Sequence, residues 1–133
     1  MTSTVTYLGE LRTEATHLYS GTKIITDAPL DNQGKAEAFS PTDLCATSLA
    51  SCAMTLMGIS ARNHALDMTG AHAEVTKIMA ADPRRIAKVV IRFVMPQNDY
   101  TETQKQILEK AARTCPVSFS LAEGVEQAME FVW

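Results

Sequence analysis

The chain has 133 residues, of which 46% are hydrophobic and 20% charged, a composition typical of one soluble globular domain. We therefore expect a single domain over residues 1–133. The net charge is −3 and the basic residues do not cluster, which argues against binding to nucleic acid or to anionic membrane surfaces. No apolar run approaches the roughly 20 residues that span a bilayer. The first residues lack the pattern of a signal peptide, so we expect a cytoplasmic protein.

The N-terminal part of the chain is predicted to form strands. Residues 3–27 are rich in Thr, Val, Tyr and Ile and contain turn residues at Ser20 and Gly21. This pattern predicts two or three strands. A polar loop is predicted at residues 31–35.

A long helix is predicted to begin at Ser40 and Pro41. Ser40 is a good N-cap, Pro suits the first helical position, and Asp43 stands where the acid of a capping box belongs. From residue 44 to residue 61 the sequence has no charged side chain. A helix that is apolar on nearly all sides is a buried one, so this segment should be the central core element.

The rest of the chain alternates between strand and helix patterns. In order we predict strands at 71–79 and 86–95, a helix at 103–114, a short helix starting at Pro116 and a last strand at 125–133. Strands followed by helices in this order predict an α+β fold with a mostly antiparallel sheet. One sheet would leave a face of the long apolar helix uncovered, which indicates a homodimer.

Three cysteines are an odd number, which argues against a framework of structural disulfides. Cys45 and Cys52 are seven residues apart on one helix, about 10.5 Å along its axis. A disulfide needs Cα atoms within about 7 Å, so only Cys115 could pair with either. Taken alone, each cysteine is more simply interpreted as a small core residue. The position of Cys115 before Pro116, at a helix N-terminus, favours a reactive thiol.

No metal site or cofactor is predicted. The three histidines, His17, His64 and His72, are dispersed and lack the close spacing of zinc ligands.

Two segments resemble motifs of the OsmC/Ohr family. Residues 40–44 followed by residues 48–52 resemble its first-cysteine segment, in which Pro-x-x-Leu precedes the reactive Cys, eleven residues after the Pro. Cys115-Pro116-Val117-Ser118 resembles its second motif. The order of strands and helices is similar along nearly the whole chain.

This resemblance implies an OsmC-like, intertwined homodimer with its sites at the interface. It implies reduction of organic hydroperoxides in oxidative-stress defence, with regeneration by a dithiol reductant. By the same resemblance Cys52 attacks the peroxide and Cys115 resolves the product as a disulfide, whereas Cys45 has no role in the family.

The motif departs from that of the active enzymes at one position. They carry a Glu immediately after the motif Pro, where it pairs with an Arg that stabilises the thiolate. This chain has Thr42 there and Asp43 one residue later, a pattern closer to the less characterised OsmC-like branches. Arg12, the one Arg of the N-terminal strand region, is the first candidate for the cation, and Arg113 is the second.

The apolar neighbours of Cys52 in the sequence predict an apolar binding site. We expect Leu49 and Leu56 to contribute to it, together with Thr42 and Asp43 at the start of the helix. Two other functions stay open because of Thr42. One is a non-catalytic dimer that binds an apolar ligand at its interface, and the other is a redox sensor.

Overall fold

Six strands and three α-helices follow one another in a computed structural model that describes all residues, 1–133. In chain order they are β1 (Ser3–Gly9), β2 (Arg12–His17), β3 (Lys23–Asp27), α1 (Pro41–Asn63), β4 (His72–Ala80), β5 (Arg85–Val94), α2 (Glu102–Ala112), α3 (Pro116–Ser120) and β6 (Glu126–Val132). The predicted α+β class is confirmed. The chain divides into two compact units, Met1–Cys45 and Ala46–Trp133, and the boundary falls within α1.

The first unit is built on the antiparallel sheet β1-β2-β3. The prediction of two or three strands over residues 3–27 is thus confirmed, with three. In the register of β2 and β3, Arg12 lies opposite Asp27. The predicted polar loop contains one short 3-10 turn, Leu30–Asn32, and runs on to the start of α1.

The start of α1 is fixed by the predicted capping box. The Ser40 Oγ accepts a hydrogen bond from the Asp43 backbone N–H at 3.1 Å, and the Asp43 Oδ2 accepts one from the Ser40 N–H at 2.9 Å. These two bonds satisfy backbone donors that a helix leaves free at its first turn.

The second unit contains the hydrophobic core. Its sheet has the order β4-β5-β6, and the buried cluster that packs on it comes from α1, β5, α2 and the start of α3. The largest fully buried apolar side chains of this cluster are Phe93, Leu49, Met57, Ile91 and Leu108.

The strands form two three-stranded sheets, whereas the sequence was expected to form one. Most pairings are antiparallel, but β6 lies parallel to β5. The physical reason is the connection between them, which contains α2 and α3 and is long enough to return the chain to the starting end of the sheet. Sequence periodicity predicts a strand without predicting its partner.

Helix α1 is buried on one face. Ala46, Leu49, Ala53 and Met57 lie in the core, whereas Ile59 is 43% exposed. The expected burial on all sides is therefore not reached within one chain. By length and composition alone α1 could cross a membrane, a test that core helices of soluble proteins also pass.

Candidate functional site

Cys52 and Cys115, which are 63 positions apart in the sequence, meet in the second unit. Cys52 is half-buried in the middle of α1, and Cys115 is fully buried at the N-cap of α3. Both are free thiols, and Cys52 lies close enough to Cys115 to raise the pKa of its thiol. The structure thus brings together the two cysteines that the motifs singled out. Cys45 is not in a disulfide either, and it is also half-buried.

The environment of Cys115 favours the protonated form of its thiol. Burial raises the pKa of the Cys115 thiol above its ordinary value, the Ser118 backbone N–H opposes this, and the neighbouring Cys52 raises it further. The helix N-terminus does supply the expected donor, because the Ser118 N–H points to the Cys115 Sγ at 3.3 Å. Desolvation outweighs that donor, so the position at a helix start does not lower the pKa.

Gln127 on β6 braces the turn that carries Cys115. The Ser118 Oγ donates to the Gln127 Oε1 at 2.6 Å, and the Gln127 Nε2 donates back to the Ser118 carbonyl at 3.0 Å. Ser118 is the last residue of the second motif, so its importance could be found in the sequence. Gln127 lies in a strand pattern with no motif, and only the fold reveals its contact.

A shallow cavity of about 270 Å³ lies beside this brace, lined by Arg113, Ser118, Val125, Gln127 and Met129. Arg113, the second candidate cation, is engaged with β6. Its guanidinium lies 5.4 Å from the centre of the Phe131 ring and donates to the Met129 carbonyl at 3.4 Å.

The residues predicted to bind ligand have different environments. Leu49 is completely buried in the core, and Leu56 is partly buried against it beside Cys52. In the first unit Asp43 serves the capping box, and the Thr42 Oγ1 lies 3.1 Å from the Ser40 Oγ. Their roles in binding stay predictions.

Arg12 lies in a group of charges that the sequence did not reveal. Its Nη2 donates to the Asp27 Oδ2 at 3.5 Å and forms an ion pair with the Glu37 Oε2. The Glu37 backbone N–H also donates to the Asp27 Oδ2, at 2.9 Å. Asp27 and Glu37 are 15 and 25 residues from Arg12, so no local pattern connects them. The action of Arg12 on Cys52 stays a prediction.

No group of three or more His, Cys, Asp or Glu side chains is arranged to hold a metal ion. His17 and His64 instead bond to nearby oxygen atoms, the Ser20 hydroxyl and the Ser60 carbonyl.

The comparisons with known proteins agree on the family. The family model described as OsmC-like protein matches residues 34–130. A protein of Psychrobacter arcticus, assigned to osmotic stress and the detoxification response, is 52% identical over 98% of this chain and 95% of that one, with a TM-score of 0.94. The chain therefore belongs to the OsmC-like family.

More distant structures share the fold. An organic hydroperoxide resistance protein OsmC from Legionella pneumophila is 15% identical over 100% of this chain and 98% of that one, with a TM-score of 0.77. An organic hydroperoxide resistance protein from Vibrio cholerae, with captopril in one of its active sites, is 16% identical over 98% and 91%, with a TM-score of 0.75. No curated protein matches the sequence.

Proposed function

We propose that this protein reduces organic hydroperoxides in the cytoplasm as part of stress defence, with Cys52 as the attacking thiol and Cys115 as the resolving thiol. The observation that carries the proposal is the proximity of two free thiols in unequal environments, Cys115 buried and Cys52 partly accessible. Cys115 is buried and keeps its proton, whereas Cys52 is partly accessible.

In the first step the Cys52 thiolate attacks the outer oxygen of the hydroperoxide. A sulfur–oxygen bond forms, the O–O bond breaks, and the electron pair leaves with the alkoxide, which takes up a proton and becomes the alcohol. Cys52 is oxidised to a sulfenic acid and the peroxide is reduced. Arg12 is the proposed cation that stabilises the thiolate, because an Arg stays charged in any environment.

In the second step the Cys115 sulfur attacks the Cys52 sulfenic acid. The disulfide forms, and the hydroxyl of the sulfenic acid leaves as water with the Cys115 proton. The proximity of the two side chains in the reduced chain supports this step. An external dithiol then restores both thiols by two exchange reactions and is itself oxidised to a disulfide.

The side chains around Cys52 support an alkyl peroxide as substrate. Leu56, one turn after Cys52 on α1, and Met54 are partly buried apolar residues. Burying alkyl surface against such side chains gains about 25 cal/mol per Å². We therefore propose that bulky organic hydroperoxides react faster than hydrogen peroxide.

A homodimer is proposed because the first unit leaves its large apolar side chains exposed. The residues of this unit that are buried are Thr26, Asp27 and Ser40, none of them apolar. Its exposed large apolar side chains are Met1, Val5, Tyr7, Leu8, Leu11, Leu18, Tyr19, Ile24, Ile25, Leu30 and Phe39. So much exposed apolar surface marks an interface. A second copy of the chain is the occupant that the OsmC-like family implies.

The test is consumption of cumene hydroperoxide by the purified protein with dithiothreitol as reductant. We expect steady turnover by the wild type and by Cys45→Ser, the matched control on the same helix. Cys52→Ser should consume none. Cys115→Ser should turn over slowly and accumulate a sulfenic acid that dimedone labels. A wild type that binds the hydroperoxide without consuming it would contradict the proposal and favour the ligand-binding alternative.

A further inference from the structure

We propose that the cavity beside β6 is a binding site for a small organic carboxylate, with Arg113 as the residue that binds the anion. The cavity has a volume of about 270 Å³ and is lined by Arg113, Ser118, Val125, Gln127 and Met129. All five residues belong to the second unit, so one chain builds the whole site. The site goes beyond the proposed function, because neither of the two redox cysteines lines it.

The guanidinium of Arg113 has no acidic partner in this chain. Its hydrogen bond is a long one, from Nη2 to the Met129 carbonyl at 3.4 Å. Glu109, one helical turn earlier on α2, accepts instead from the Trp133 indole N–H at 3.0 Å. A guanidinium carries five N–H donors, so four of those on Arg113 are left for a ligand.

The position of Arg113 is fixed, which distinguishes it from an ordinary surface arginine. Its guanidinium lies 5.4 Å from the centre of the Phe131 ring. Phe131 is stacked in turn on the buried Phe93, with 5.1 Å between the ring centres. An arginine held against an aromatic face keeps its charge and its planar set of donors, and it loses less freedom when an anion binds.

The place of Arg113 at the end of α2 does not by itself explain this geometry. A cation there interacts favourably with the last carbonyls of a helix. The guanidinium of Arg113 donates instead to a carbonyl of β6, the strand that also supplies Gln127 and Met129 to the cavity. The charge is therefore directed to the cavity wall and not to the helix end.

The other walls of the cavity define the rest of the ligand. Val125 and Met129 are partly buried apolar residues, which suit a short alkyl group. Ser118 and Gln127 bond to each other and add neutral polar atoms but no second charge. One cation beside apolar walls matches a carboxylate with an alkyl tail better than a phosphate, which carries more than one negative charge near neutral pH. The volume lies below the roughly 300–1,000 Å³ of pockets for drug-sized ligands, so the ligand is small.

A ligand in this cavity also reaches the turn that carries Cys115. Ser118 lines the cavity, and its backbone N–H points to the Cys115 Sγ at 3.3 Å. Its side chain is held by Gln127, which lines the cavity as well. A carboxylate that accepts from either side chain competes with their mutual bond, so the Ser118 N–H should report occupancy of the site.

The experiment titrates the reduced wild type with isocaproate and follows the Ser118 N–H and the Gln127 side-chain amide by heteronuclear NMR. Isocaproamide has the same alkyl group without the charge and is the matched ligand control. Arg113→Gln removes the cation. Arg92→Gln is the matched protein control, because Arg92 is also exposed in the second unit but already pairs with Glu74 at 3.0 Å.

We expect saturable shifts with isocaproate and none with isocaproamide. Arg113→Gln should weaken binding about tenfold or more, as expected for the loss of charge-assisted hydrogen bonds. Val125→Ala should weaken it about threefold, because less apolar surface is left to contact the alkyl group. Arg92→Gln should bind with wild-type affinity.

The inference is overturned if isocaproate causes no saturable shift, if isocaproamide binds equally well, or if Arg113→Gln and Arg92→Gln bind alike. Inorganic phosphate that displaces isocaproate at equal concentration would contradict it too, because the site would then not select an alkyl carboxylate. Should Arg113→Gln not fold, the comparison of isocaproate with isocaproamide on the wild type still decides. None of these readouts depends on peroxide consumption, so failure of the proposed function is seen separately.

Discussion

The two units of this chain are stabilised in different ways. The second unit encloses a core of thirteen buried apolar residues that includes Cys115 itself. The first unit buries only polar residues and exposes apolar ones, and the contacts that fix its Arg12 are ion pairs and backbone hydrogen bonds. The two thiols therefore belong to a unit whose hydrophobic core is formed within a single chain. Arg12, the proposed cation, belongs to a unit whose apolar side chains stay exposed in a single chain.

The largest effect is expected from a change in the core of the second unit. Leu108→Ala removes a completely buried side chain of α2 and should reduce the free energy of unfolding by about 2–5 kcal/mol. The measurement is urea denaturation followed by circular dichroism. Leu30→Ala, at a position that is 75% exposed, is the matched control in the first unit. A loss for Leu108→Ala no larger than for the control would remove the contrast between the units.

The next effect tests whether a second copy covers the first unit. Val5 and Tyr7 lie on the same side of β1, and each is 65% exposed. Changing both to Asp should convert the proposed dimer into 14.5 kDa monomers in light scattering, because unpaired charges would be buried at the interface. Thr4→Asp with Thr6→Asp, on the opposite side of the strand, is the control. Should both double variants remain dimeric, the apolar side of β1 is not the interface.

A smaller effect is expected from the brace on Cys115. Gln127→Ala removes both hydrogen bonds to Ser118, so the N–H that points to the Cys115 sulfur is less well fixed. A hydrogen bond contributes about 1 kcal/mol net, so disulfide formation should slow about fivefold. The oxidation of Cys52 by the peroxide should keep its rate. Stopped-flow fluorescence after one equivalent of peroxide separates the two steps. Equal slowing of both would assign Gln127 to general stability instead.

The smallest effect is the pH dependence of stability that comes from Cys115. Its pKa is raised in the folded chain above the ordinary 9.0, so the folded chain keeps a proton that the unfolded chain loses as the pH passes 9.0. The stabilisation is complete below that pH and is lost as the pH rises through the folded pKa. Under reducing conditions the wild type should lose stability above pH 9 more steeply than Cys115→Ser. Parallel curves would contradict burial of a protonated thiol.

Local chemistry made much of the fold predictable. The Ser40 and Asp43 capping box fixed the start of α1, and the strand-rich composition of residues 3–27 predicted the strands of the first unit. The division into two sheets and the parallel pairing of β6 depend on long-range contacts, which periodicity does not encode. The same limit applies to Leu49, whose complete burial depends on the elements that pack around α1.

The candidate site, like the fold, could be predicted only in part from the sequence. Two short motifs singled out Cys52 and Cys115, and the fold brings their side chains close together. The partners of Arg12 were missed because Asp27 ends a strand and Glu37 lies in a loop, positions where acidic residues usually face solvent. Because position 42 is Thr and not Glu, the sequence suggested that the Arg has no carboxylate partner. In the structure Arg12 forms ion pairs with Asp27 and Glu37.

The central claim, that Cys52 and Cys115 form one redox pair, is tested most directly by mass spectrometry of the oxidised protein. The reduced chain is treated with one equivalent of cumene hydroperoxide, alkylated and digested, and the disulfide-linked peptides are identified. We predict an intramolecular Cys52–Cys115 disulfide as the main product, with Cys45 alkylated. A main product that contains Cys45, or peroxide consumed with no disulfide at all, would contradict the account.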